Sequence, residues 1–222
     1  MVNLIAAAAL LPTASATPID ALKLARSYKS GESYAYSLNA KAEVGGQTME
    51  IRSEIVFKVK KADEKGAELS MSVRKFTVLE NGADAGKSGP DELTSDFDLM
   101  GMPHVMSTSN EAWVYILASL AGLVPGKDVE LGSGFDVKWE SKDKALTATG
   151  KGKATEIVEH EGAKAVKLEY DLEVKPGEDS TGHVKCVTLV AQDGVSPISC
   201  KGTVKVENDE GMITFDVKRL KS

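Results

Sequence analysis

Asn110–Val124, NEAWVYILASLAGLV, decides how the rest of the chain must be arranged. Asn110 is a helix-capping residue, Glu111 suits a first turn, and Pro125-Gly126 stops the run. Trp113, Ile116, Leu117, Leu120 and Val124 recur at helical spacing. Val114, Tyr115, Ala118 and Leu123 make most of the remaining surface apolar too. A helix apolar on most sides has to be buried on most sides or cover something. At about 15 residues it falls short of the roughly 20 that a bilayer span needs. The stretch therefore reads as a helix laid against a β-sheet.

The flanking sequence supplies that sheet. In Tyr34–Val44, residues Tyr34, Tyr36, Leu38, Ala40, Ala42 and Val44 alternate with mostly polar partners. Gly45-Gly46 is a two-residue hairpin signal, and Met49, Ile51, Ile55, Phe57 and Val59 alternate on the return. A turn centred on the two glycines pairs Ala42 with Met49, Ala40 with Ile51, Tyr36 with Ile55 and Tyr34 with Phe57. Both apolar sets then share one face, which sets the register. Ala67–Val78 returns with Leu69, Met71 and Val73 on one face and Phe76 and Val78 on the other, which implies a bulge near Arg74-Lys75. Glu80–Glu92 is a Gly- and Asp-rich loop, and Phe97–Met102 a short strand. Upstream, Pro18–Arg26 reads as a short helix.

After Pro125-Gly126 the pattern restarts. Phe135–Trp139, Leu146–Val158 and Ala163–Val174 repeat the strand–turn–strand–turn–strand order at an offset near 95 residues, so residues 30–100 and 125–222 read as pseudo-repeats. Gly132, Gly134, Gly150 and Gly152 interrupt this second half and allow curvature or close backbone approach. Val184–Val190, Ile198–Glu207 and Met212–Leu220 follow. Hairpin-linked strands with one apolar face form antiparallel sheets packed on one side. The fold class is mainly β (α+β): a large curved antiparallel meander or half-open barrel, with the helix at 110–124 on its concave face. A closed barrel with the helix across its mouth is the alternative.

Composition bounds the function. The chain has 222 residues, 42% hydrophobic and 27% charged, with net charge −6. Acidic and basic residues are interleaved, which describes a solvated mixed surface and not a basic stripe for nucleic acid. Leu4–Leu11 followed by Ala14-Ser15-Ala16 reads as a signal peptide over residues 1–16, leaving 17–222 as one β-rich domain that is periplasmic or secreted. Cys186 and Cys200 flank Gln192–Val195; a hairpin centred on Asp193 sets them directly opposite, at disulfide distance.

The signal-like start, the long meander, the Asn110–Val124 helix and the late strand Val184–Val190 followed by Asp193-Gly194 together resemble the periplasmic outer-membrane lipoprotein carrier family. The resemblance covers most of the mature chain at the level of pattern. It implies a half-open antiparallel barrel lidded by helices and an apolar ligand in its interior.

Motifs for chemistry are sparse. His104, His160 and His183 are far apart, and only His183 and Cys186 form an H-x-x-C pair, so no metal or cofactor is expected. No nucleophile elbow, phosphate loop or dinucleotide fingerprint occurs, and no catalytic residue is assigned. The apolar interior is the candidate site. Tyr34, Tyr36, Ile55, Phe57, Leu69 and Met71 on strands, with Trp113, Ile116, Leu117 and Leu120 on the helix, line either a solid core or a cavity for a lipid or other apolar molecule. The expected function is an extracytoplasmic, non-enzymatic binding protein that is not integral to the membrane. The alternative is an envelope interaction module with a protein partner.

Overall fold

The first hairpin forms as its alternation dictates. In the computed structural model, which describes residues 21–104, 112–142, 144, 146–176, 181–192, 196–207 and 211–221, Ala42 faces Met49, Ala40 faces Ile51, Tyr36 faces Ile55 and Tyr34 faces Phe57. Gly45 and Gly46 take φ of 57° and 80°, the left-handed pair that a two-residue hairpin turn demands. In chain order the elements are β1 (Leu22–Leu24), β2 (Ser33–Val44), β3 (Gln47–Asp63), β4 (Gly66–Glu80), β5 (Ala83–Asp84), β6 (Leu93–Asp98), α1 (Ala112–Leu120), β7 (Lys127–Val129), β8 (Gly134–Glu140), β9 (Leu146–His160), β10 (Ala163–Pro176), β11 (Gly182–Ala191), β12 (Ser196–Val206) and β13 (Met212–Arg219).

Eleven of these strands form one antiparallel sheet in the order β5-β4-β3-β2-β13-β12-β11-β10-β9-β8, with β6 also on β4. The sheet is open. It is the large curved antiparallel meander with one helix that the hairpins suggest, built as two runs of strands. Two meanders meet where the last strand, β13, pairs with the first long one, β2. This junction sets the topology. The strand before the helix, β6, lies at one end of this sheet; after the helix β7 pairs with β1 in a separate two-stranded sheet, and β8, the next strand of the large sheet, lies at its other end. The chain between them has to cross from edge to edge. Crossing over the concave side lets α1 bury its apolar surface on β2 and β13, at the seam between the meanders.

Curvature comes from the distribution of side-chain size. One cross-strand row runs Phe135, Gly152, Tyr170, Cys186, Gly202, Phe215, Ala40, Ile51, Val78 from β8 to β4. Bulky residues are spaced by small ones, so the rings lean over the gaps. The Phe135 and Tyr170 rings meet edge-on at 5.9 Å over Gly152. On the convex side Lys and acidic residues alternate across strands, as in Lys151–Asp136, Lys185–Asp171 and Lys167–Glu156. Exposed pairs of this kind contribute little stability each.

Several expectations are corrected. The bulge forms: Lys75 and Phe76 oppose Ser53, and Lys75 has φ 52°. Because it adds one residue, Val78 returns to the face of Met71 and Val73, and no face switch occurs. Leu22–Leu24 is a strand paired with β7, not part of a helix; its buried–exposed–buried pattern has the period of two that a strand requires. Pro18 lies outside the described residues. The helix covers Ala112–Leu120, shorter than 110–124, and turns at Gly122, whose N–H donates to Ser119 O. Asn110 and Glu111 lie outside the described residues. Leu93–Asp98, not Phe97–Met102, is the strand before the helix.

The cysteines are not opposite each other. Cys186 faces Gly202 and Thr188 faces Cys200: the pair nearest the turn, Ala191 with Ser196, is already one residue off the expected register, and the shift between Leu189 and Val190 adds another. The two cysteines are diagonal neighbours, both buried, with their thiols within hydrogen-bond reach of each other. The neighbouring Cys200 thiol and burial push the Cys186 thiol well above its ordinary pKa.

Candidate functional site: the helix–sheet interior

Val114 to Val124 is buried on every side, none of its apolar side chains more than 2% exposed. That outcome follows from the absence of any charged residue in α1. Two phenols here are satisfied locally: Tyr115 donates to Asp91 O, and Tyr170 donates to Leu123 O at 2.8 Å. The segment before β2 holds the helix from the other side. Gly126 N donates to Leu24 O, Arg26 N donates to Leu99 O and Val124 N donates to Met100 O, each at 2.9 Å.

Of the ten residues expected to line the interior, Tyr36, Ile55, Phe57, Leu69, Met71, Ile116, Leu117 and Leu120 are buried in one apolar cluster. Tyr34 and Trp113 are half-buried at its rim. The structure brings all ten to the same interior but to different ends of it. At one end Tyr34 stacks on Phe57 at 5.5 Å, and Tyr36 and Phe97 meet Phe57 edge-on. The cavity beside these rings measures only about 10 Å³. At the other end an apolar crevice of about 190 Å³ opens between α1 and the sheet, lined by Leu38, Ala42, Ile51, Trp113, Leu117 and Ile213 among others. Only Trp113 and Leu117 of the ten reach it. The Trp113 ring lies on Gly182, where a Cβ would stand 2.7 Å from it.

The residue that sequence reasoning missed is Arg26. It is 7% exposed, lies 5.1 Å from the Tyr28 ring and 6.0 Å from the Tyr34 ring, and its Nη2 donates to Tyr34 Oη at 3.3 Å. The available signal was period two: Leu22, Leu24 and Arg26 share one strand face, which the helix reading concealed. The histidine–cysteine pair does not converge. His183 is exposed and pairs with Glu207 at 2.8 Å, whereas Cys186 is buried on the other face of β11.

Burial is the main cause that raises the pKa of Tyr28, Tyr34, Tyr36 and Tyr170; for the first three the Arg26 guanidinium offsets part of it. A phenol with a higher pKa in the folded than in the unfolded state is held neutral by folding. Its contribution is whole below the unfolded value of about 10 and is lost as pH rises above it. Alkaline titration followed at 295 nm should therefore show little tyrosinate until the protein unfolds, and the two changes should coincide. Tyrosinate appearing well before unfolding would show that these phenols reach solvent.

The fold and site define an open antiparallel β half-barrel filled by a buried helix. No protein-family model matches the chain, and a search of curated proteins returns no relative. Among solved structures, a protein with a YmcC-like fold from Bacteroides fragilis is 10% identical over 90% of this chain and 100% of that one, with a TM-score of 0.35. A DUF1329 family protein from Desulfovibrio piger is 8% identical over 85% and 84%, with a TM-score of 0.26. DynF, from the dynemicin biosynthesis pathway of Micromonospora chersina, is 8% identical over 93% and 85%, with a TM-score of 0.25. All three scores fall below 0.5 and establish no common fold. The resemblance to lipoprotein carriers stays one of pattern, and no shared family is shown.

Proposed function

We propose that the protein is an extracytoplasmic, non-enzymatic binding protein for a small apolar ligand. The observation that supports this is the crevice of about 190 Å³ beneath Trp113 and Leu117. Its lining carries no titratable side chain, so it offers shape and apolar contact but no acid, base or nucleophile. Its size sets the ligand. An apolar cavity of about 150 Å³ accepts benzene, whereas drug-sized sites run from about 300 Å³. The crevice suits one ring or the end of an acyl chain, not a whole lipid. Extracytoplasmic placement rests on the Leu4–Ala16 leader pattern. Among the described residues no helix is long and apolar enough to cross a membrane.

Trp113 lies in the lining and Trp139 is buried in β8, so Trp113 can report binding. Titration with single-ring aromatics and with fatty acids of several lengths is expected to quench its fluorescence saturably. Ala42→Phe, which fills the crevice from the sheet side, should remove the response while the melting transition persists. No saturable response to any of these ligands, together with no lipid extracted from purified protein, would overturn the reading. N-terminal sequencing of protein secreted from its host tests the leader.

A further inference from the structure

The small cavity at the tyrosine end of the interior carries a second assignment. Arg26, Ser119 and Tyr34 line it together with Tyr28, Tyr36 and Gly122. Arg26 Nε and Ser119 Oγ are both buried and have no hydrogen-bond partner. The Tyr34 hydroxyl accepts from Arg26 Nη2, which leaves its own proton to be donated. The other two hydroxyls already donate away from the cavity, Tyr28 to Asp98 O at 3.1 Å and Tyr36 to Pro197 O at 3.3 Å. Arg26 forms no ion pair with a carboxylate among the described residues. Asp98, the acid on this side, accepts instead from the Met100 and Met102 amides at 2.9 and 3.3 Å.

A guanidinium that is 7% exposed, with no counter-charge among the described residues, is an expensive arrangement in a protein interior. The carbonyl end of α1, beside Gly122, supplies a partial charge of about −0.5 and leaves the rest uncompensated. A water molecule could satisfy the donors but would not neutralise the charge. The space is about 10 Å³, which favours a monatomic anion over the bulkier carboxylates, phosphates and sulfate. We propose that this cavity is a halide site, in which one chloride ion accepts from Arg26 Nε, Ser119 Oγ and Tyr34 Oη and is the counter-ion of Arg26. The ion would then tie three separate pieces together: the segment after β1, the last turn of α1 and the start of β2. Chloride becomes part of the tyrosine end of the fold, apart from the apolar crevice, and this assignment does not depend on the ligand proposed there.

Bromide substitutes for chloride and scatters anomalously, so crystals of the full chain grown in sodium bromide provide the direct test. One anomalous peak is expected within hydrogen-bond distance of Arg26 Nε and Ser119 Oγ. In solution the melting temperature should be higher in chloride than in gluconate at equal ionic strength and should rise with chloride concentration. That dependence should vanish in Arg26→Met. In Ser119→Ala, which loses one donor, the chloride midpoint should move about tenfold higher. Bromide only at surface positions, or equal melting temperatures in the two salts, would overturn the assignment. If Arg26→Met does not fold, an unchanged midpoint in Ser119→Ala would overturn it as well.

Discussion

Leu120→Asp is expected to abolish cooperative folding. Leu120 is 0% exposed, and its neighbours along the helix, Ile116, Ser119, Ala121 and Leu123, are 0–2% exposed. Removing a buried leucine costs about 2–5 kcal/mol, and an unpaired carboxylate in an apolar interior adds several more. Domains of this kind have about 5–15 kcal/mol in all, so the sum is comparable with the whole stability. A urea titration followed by circular dichroism should show no cooperative transition for this variant. Trp113→Ala provides the contrast. Trp113 is half-buried at the crevice, so this change should cost less and act chiefly on ligand binding. A Leu120→Asp protein that melted like the parent would mean that α1 is a separable lid. The present packing makes it the centre of the core, with the apolar crevice beside Trp113 and Leu117.

That answer sharpens what the sequence could and could not convey. The β2–β3 register was legible because two independent signals coincide, the Gly45-Gly46 turn and alternation on both arms. The buried helix was legible because a run without charge has nowhere else to go. Pairing between β13 and β2 was not legible, since alternation tells which face a strand buries but not which strand lies beside it. The Cys186–Cys200 register failed for two local reasons, a turn centred later than Asp193 and the shift at Leu189–Val190, neither of which periodicity registers. β1 is three residues long, too short for any period to be decisive, and Arg26 was lost with it. The crevice depends on how volumes fill the space between α1 and the sheet, and no pattern of residue types encodes a remainder of about 190 Å³.

Gly150→Ala and Gly202→Ala test the other half of the design, the curvature that makes room for the helix. A Cβ on Gly150 would stand 2.2 Å from Asp171 O and 2.8 Å from Leu172 Cα, and its φ of +154° already disfavours a side chain. A Cβ on Gly202 would stand 2.3 Å from Lys185 O and 2.6 Å from Cys186 Cβ. In both cases the nearest obstacle is the main chain of the neighbouring strand, so no side chain can swing aside and the strands themselves must part. Each substitution is expected to cost about 2–4 kcal/mol, at the upper end of overpacking effects. The two sites lie three strands apart, roughly 14 Å, so the double variant should lose nearly the sum. Gly134→Ala is the control: it lies in the edge strand β8, meets only Gly152 O at 3.6 Å and has an ordinary φ. That change should be neutral or stabilise by about 0.4–1 kcal/mol. If denaturant midpoints for the two interior variants match the control, close strand approach at these glycines is not what bends the sheet. If they fall as expected, the same strain should reach the Phe135–Gly152–Tyr170 packing and the row that carries Gly202. A flatter sheet would then lift from α1, and any loss of ligand response at Trp113 would follow from lost curvature, not from a lost contact.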